Sequence, residues 1–333
     1  MERRPLGRTG LGLSALGFGC GDVGGLMVRG GPAERERAVA RAIELGIDYF
    51  DTAPSYGRGQ SEINLGRALK AVGADVHVGT KVRLGADEVS DIEGAIRRSL
   101  EASLTRLGAS HVDLLQLHNR IAGRRGPDTV SERDVLDAVV PAIDRLRAQG
   151  KVRFCGITAL GETEALHRVV GAGAIDAAQT CLNLLNPSAA RPLAPGFPAQ
   201  DFRQLIGAAH ARGVGAIVIR VFAAGALSGT LERHPVAMPT VDPIATGPDY
   251  AADVRRARAF RTLVDEGHVG SVVEAALRFP LGIAGVSTVL LGSSTVAQLE
   301  AAAAAVERGP LPAPTLERFE AIWRRLAADA ARS

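Results

Sequence analysis

The fold class this sequence predicts is α/β: a closed (β/α)8 TIM barrel in a single domain over residues 1–333. Eight apolar, β-branched runs recur along the whole length, amphipathic segments of helical period separate them, and no linker breaks the alternation. Strands that alternate with helices imply a parallel sheet, because each return to the same edge needs a crossover. Eight such units in succession suggest closure.

The segment PLGRTGLGLSALGFG fits a short N-terminal β-hairpin that turns at Thr9-Gly10 and closes the bottom of the barrel. The eight strands are read at 16–20, 47–53, 76–82, 112–118, 152–158, 177–183, 215–221 and 289–294. Between them ERERAVARAIELG, DIEGAIRRSLEASLTRLG, SERDVLDAVVPAIDRLRAQG and DFRQLIGAAHARG have the spacing of helices, and Gly46, Gly108, Gly150 and Gly213 supply stop signals. The competing fold is a doubly wound sheet, which wants a glycine-rich phosphate loop opening into a helix after its first strand. GFGCGDVGG contains GxGxxG, but the next helix is expected only near Ala33. Long connections follow the fourth, sixth and seventh strands, at 119–129, 186–200 and 222–250. Loops at the C-terminal mouth of a barrel usually carry function.

Hydrophobic residues make up 46% of the chain and charged residues 23%, as in an ordinary globular protein. Net charge is +3 and no basic run with interleaved aromatics occurs, which argues against nucleic acid as a partner. The start, MERRPLGRTG, lacks the apolar core of a signal peptide, and the apolar stretch from Ala275 to Gly292 is cut by Arg278 and Pro280, so no membrane span is expected. Cys20, Cys155 and Cys181 fall in expected strands without metal-ligand spacing and read as buried thiols in a reducing cytoplasm; no metal site is expected. Of 39 basic residues only Lys70, Lys81 and Lys151 are lysines. A lysine is a compact charge of tunable pKa, which favours a specific role for Lys81.

Four residues stand where expected strands give way to loops: Asp51 and Tyr56 in YFDTAPSYG, Lys81 in VHVGTKV and His118 in VDLLQLHN. Together they supply a carboxylate, a phenol, an ammonium and an imidazole. A cation beside a phenol favours phenolate and lowers its pKa, and a carboxylate can hold that cation in place. The set reads as a tyrosine tuned to give or take a proton. Each residue alone has a plainer reading, as a loop cap, a rim aromatic, an exposed strand end or a satisfied polar group.

With these motifs placed, the chain resembles an aldo-keto reductase nearly end to end. LGRTGLGLSALGFGC, GIDYFDTAPSYGRGQSEINLGRAL, GTKV, LLQLHN, GKVRFCGIT and LLGSSTVAQLE follow in that family's order. The resemblance implies a barrel that binds NADP(H) or NAD(H) and passes hydride between nicotinamide C4 and a carbonyl or alcohol carbon of a small molecule. It implies Tyr56 as general acid or base within the tetrad Asp51, Tyr56, Lys81 and His118. Thr158 and Gln179 match residues that bond the nicotinamide carboxamide. Ile219 stands where an aromatic normally stacks on the ring, Arg220 follows as a candidate for cofactor phosphate, and Phe222 belongs to the same cofactor-binding stretch. The segment that meets the adenosine 2′-phosphate in NADP-preferring relatives is here Gly292, Ser293, Ser294 and Gln298, without their cations, so NAD use or dual use is expected. Asp22, Asn119 and Arg120 are candidate substrate contacts for a hydroxylated molecule such as a sugar, with solvated loop residues as the other reading. Two further functions stay open: a Schiff-base aldolase or lyase using Lys81, and a non-catalytic cofactor-binding regulatory subunit. The oligomeric state is not encoded in any motif of the chain.

Overall fold

In the computed structural model, which describes residues 1–332, the chain opens on the expected hairpin: β1 (Arg3–Pro5) pairs antiparallel with β2 (Gly12–Ser14). Its turn lies at Thr9-Gly10, where the Thr9 N–H donates to the Leu6 carbonyl at 3.1 Å and Gly10 takes a φ of 75°. The hairpin carries Leu6 and Leu13 into the base of the barrel, where both are buried in one cluster with Tyr49, Leu114, Ala177 and Ile217. Burying a leucine contributes roughly 1.5–3 kcal/mol, so the hairpin plugs the end of the barrel away from the loops that carry the site.

Eight parallel strands then close the barrel, with two small strands inserted: β3 (Leu16–Gly19), β4 (Tyr49–Asp51), β5 (His77–Val82), β6 (Val112–Leu117), β7 (Arg120–Ala122), β8 (Thr129–Ser131), β9 (Val152–Thr158), β10 (Ala177–Cys181), β11 (Gly215–Ile219) and β12 (Val286–Gly292). Barrel order is β3-β4-β5-β6-β9-β10-β11-β12, and β12 pairs back onto β3. The helices between strands stop at the glycines expected to stop them. Gly46, Gly108, Gly150 and Gly213 take φ of 78°, 64°, 72° and 68°, the left-handed conformation that ends a helix cheaply only at glycine.

Two expectations need correction, and one long connection carries structure of its own. Most strands are shorter than the apolar runs that announced them, because the last residues of several runs already belong to the mouth loops; β4, for instance, ends at Asp51. The long 119–129 connection holds β7 and the start of β8, which pair in parallel outside the barrel, and Ile121 bridges to Gly161. Finally, a four-residue helix, Leu26–Arg29, opens directly after Gly25, ahead of the helix Pro32–Glu44 that was expected first. The stretch Ala275 to Gly292 divides between the helix Val272–Leu281 and β12, and among the described residues no helix is long and apolar enough to cross a membrane. All three cysteines are buried, Cys155 in β9, Cys181 in β10 and Cys20 one residue past β3. Burial pushes the Cys181 thiol up to about 12 and raises the other two further, so they stay neutral thiols.

Candidate active site

Side chains two residues apart on a strand point to the same face. In β4 the inward pair is Tyr49 and Asp51, and in β5 it is Gly79 and Lys81. A Cβ at Gly79 would stand 2.3 Å from the Tyr49 hydroxyl, so glycine there lets Tyr49 reach across the lumen. Above that layer, Lys81 forms a buried ion pair with Asp51 and also donates to the Thr52 carbonyl at 2.8 Å. The second carboxylate oxygen of Asp51 accepts from Gln179 at 2.6 Å, Gln116 at 2.9 Å and Tyr49 at 3.1 Å. The carboxylate is thus held by four donors, and it holds the ammonium.

Tyr56 sits in the turn after β4, with Lys81 Nζ 4.8 Å from its ring centre and the His118 ring edge-on at 5.8 Å between centroids. His118 is the first residue past β6. The structure therefore brings all four expected residues together at one end of the barrel. Burial opposes charge on Lys81, but Asp51 and Tyr56 outweigh it and raise its pKa above the ordinary lysine value, so it is an ammonium. Burial also dominates Tyr56 and raises the phenol, while the charge of Lys81 pulls it down. The expected sign of the lysine's influence holds; the expected net lowering does not, because desolvation of the phenol is the larger effect. Burial, then the charges of Lys81 and Arg83, depress His118 to about 3, which makes it a neutral imidazole.

Thr158 ends β9 in the same inner layer, and its hydroxyl is buried with no partner among the described residues; the Oε1 of Gln116 is likewise unpartnered. Gln179 faces Asp51 through its Nε2. Ile219, half-buried, closes β11, and Phe222 is half-buried beyond it. Arg220 takes a φ of 57°, its guanidinium donates to the Asp242 carbonyl at 3.2 Å, and its charge acts on Tyr56.

Gly292, the last residue of β12, is exposed, but Ser293 and Ser294 beyond it are buried. The Ser294 hydroxyl donates to the Gly24 carbonyl at 2.6 Å, and its N–H donates to Gln298 Oε1 at 2.8 Å. Of the candidate substrate contacts, Asn119 is buried and clasps the backbone of Leu84 with two bonds of 2.8 Å. Both Asp22 carboxylate oxygens are engaged, one with Arg29 and one with the Gly57 N–H. Arg120 is exposed at the start of β7.

Sequence reasoning did not single out Tyr49 and Gln116. The signal was available: Tyr49 precedes Asp51 by two and Gln116 precedes His118 by two, the period of a shared strand face.

A model of the aldo/keto reductase family matches residues 15–324, nearly the whole barrel. The chain is 32% identical over 337 aligned positions to L-galactose dehydrogenase of Arabidopsis thaliana, covering 97% of this chain and 94% of the relative. It is 30% identical to D-threo-aldose 1-dehydrogenase of a Pseudomonas species, covering 87% and 88%. Among solved structures, an aldo-keto reductase of Bacillus halodurans in its holo form superposes with a TM-score of 0.72 at 24% identity over 97% of this chain and 96% of that one, a likeness of fold. The chain belongs to the aldo/keto reductase family, a family of oxidoreductases.

Proposed function

We propose that the protein is an NAD(P)(H)-dependent oxidoreductase that interconverts a carbonyl and an alcohol on a sugar, with Tyr56 as general acid or base. The observation that carries this reading is the buried Asp51–Lys81 pair set beside the Tyr56 ring, with His118 at its edge. A bound nicotinamide coenzyme would supply the hydride chemistry, at its C4, that this chain's own side chains lack. The residues present fit that ring in one respect: the unpartnered Thr158 hydroxyl is a buried polar group awaiting a hydrogen-bonding ligand such as a carboxamide. They depart in another, since Ile219 offers an aliphatic face where an aromatic would stack.

The chain's own residues divide the remaining work. Lys81, fixed by Asp51, stabilises negative charge on the phenol oxygen, so the Tyr56 phenolate takes the hydroxyl proton during alcohol oxidation and the Tyr56 phenol gives a proton to the carbonyl oxygen during reduction. Neutral His118 donates an N–H to the reacting oxygen and orients it without competing for the proton. Arg220 is the candidate for cofactor phosphate, because among the described residues its guanidinium hydrogen-bonds one backbone carbonyl, that of Asp242, and its fork of donors suits a phosphate. The names of the sugar-dehydrogenase relatives favour an aldose as substrate. Lack of a cation at Gly292, Ser294 and Gln298 favours NAD or dual use. The Schiff-base reading requires Lys81 as a free amine, whereas Asp51 holds it as an ammonium.

Titration of the protein with NADH and NADPH by nicotinamide fluorescence, followed by an aldose panel with the tighter coenzyme, tests this reading. Saturable binding with aldose-dependent reduction of NAD or NADP supports it. Absence of coenzyme binding, or borohydride trapping of a sugar on Lys81, would overturn it.

A further inference from the structure

The segment at 230–238, part of the long connection after β11, lies across the mouth of the barrel. Arg233 donates to the Ala224 carbonyl at 2.8 Å on the β11 side and to the Val23 carbonyl at 3.3 Å on the β3 side. The Met238 N–H donates to the same Val23 carbonyl at 3.2 Å. Because β12 stands between β11 and β3, this strap runs past the end of β12, where the candidate phosphate residues Ser293 and Ser294 are buried against the segment after β3: the Leu26 N–H donates to the Ser293 carbonyl at 3.3 Å and the Ser294 hydroxyl to that of Gly24. Few apolar side chains hold it. Leu231 and Met238 are exposed, so it is fastened by arginine-to-carbonyl bonds and has the makings of a segment that opens before the barrel does.

One of those fasteners continues to the tyrosine. Arg29 donates through Nε to the strap carbonyl of Val236 at 2.8 Å, while its Nη atoms reach the backbone carbonyl and the carboxylate of Asp22. The other Asp22 oxygen accepts from the Gly57 N–H at 3.2 Å, next to Tyr56. Helix Leu26–Arg29 packs directly on this turn, since a Cβ at Gly57 would stand 2.6 Å from Val28 Cγ1; on the other side, a Cβ at Gly21 would be 3.5 Å from Tyr56 Cζ. The turn itself is not self-supporting. Gly57 and Arg58 take φ of 57° and 55°, and a left-handed non-glycine residue costs about 1–2 kcal/mol.

We infer that Asp22 and Arg29 are positioning residues that tie closure of the 230–238 strap to alignment of Tyr56, so that the phenol is held in place when the strap covers the dinucleotide. The inference rests on the function proposed above. Its physical basis is a contiguous chain of bonds from Val236 through Arg29 and Asp22 to Gly57, rather than contact of either residue with substrate.

Two rates separate the links: NADH release by stopped-flow fluorescence, which reads the strap, and single-turnover hydride transfer at saturating coenzyme with the best aldose of the panel, which reads Tyr56. Arg29→Met frees the strap and should speed NADH release about tenfold while slowing hydride transfer about threefold, the scale of one or two lost hydrogen bonds. Asp22→Ala should slow hydride transfer about tenfold and also speed release. Asp22→Asn keeps an acceptor for the Gly57 N–H but loses the charge opposite Arg29. It should hold hydride transfer within about threefold of the wild type and still speed release. Equal loss of hydride transfer in the Asn and Ala variants, or unchanged rates in Arg29→Met, would overturn the inference while wild-type turnover leaves the proposed function standing. A wild-type protein that neither binds NADH nor oxidises an aldose would instead refute that function, and this inference with it.

Discussion

Replacing Lys81 with Met removes the cation that acts most strongly on Tyr56, ahead of Arg220. At the 4.8 Å between Nζ and the ring centre, a unit charge acts on a phenolate with about 3.5 kcal/mol at an effective dielectric of about 20, or roughly 2.5 pKa units. Lys81 lowers the phenol's pKa, so its loss raises it, adding to the rise that burial already imposes. In alcohol oxidation the phenolate is the base, so the rising limb of the kcat/KM profile, which marks its deprotonation, should move to higher pH by about two units. Asp51 then repels the phenolate unopposed; the double variant Lys81→Met with Asp51→Asn should therefore move less. Stability must be followed in parallel, since breaking a buried pair costs about 3–5 kcal/mol, and the double variant should melt above the single one. A folded Lys81→Met protein whose pH profile coincides with that of the wild type would refute the electrostatic argument.

Three further outcomes are expected. Gly292 is exposed and a Cβ there meets nothing closer than the Gly24 nitrogen at 3.7 Å, so Gly292→Arg should fit and shift preference toward NADP by about 1–2 kcal/mol, less as salt rises; an unchanged ratio of dissociation constants would show that another group governs the choice. His118 has a folded pKa depressed to about 3 from an ordinary 6.5, so the unfolded chain binds its proton first and stability falls as pH drops through that window. His118→Asn should flatten the pH dependence of the denaturant midpoint there, and an identical slope would contradict the assignment. Asn119→Ala should lower stability by about 1–3 kcal/mol through the two bonds lost to Leu84 with little change in KM; a large rise in KM without loss of stability would restore its expected role as a substrate contact.

The barrel was legible because its signals are local. Period-two runs, helical segments and terminal glycines each act within a few residues, and the four glycines named as stops all adopt the left-handed conformation. The tetrad was legible for a related reason: a residue at the C-terminal end of a barrel strand faces the mouth whatever else surrounds it. What depends on distant chain was not. Ser294 looked available for phosphate, yet Gly24, brought over by the β3 loop, accepts its hydroxyl. Asp22 and Asn119 looked free to meet substrate, yet each satisfies a backbone N–H on a neighbouring loop, Gly57 in one case and Leu84 in the other. The net direction of the Tyr56 pKa turns on burial against charge, and a sequence names the charges without stating the burial.

The most direct test of the proton-transfer reading is Tyr56→Phe, which keeps the ring and removes the transferable proton. Turnover of the best aldose should fall by at least about 100-fold while coenzyme affinity changes little, because the Lys81–Asp51 pair and the unpartnered Thr158 hydroxyl remain in place. Near-normal turnover in that variant would contradict the assignment of Tyr56 as the group that moves the proton.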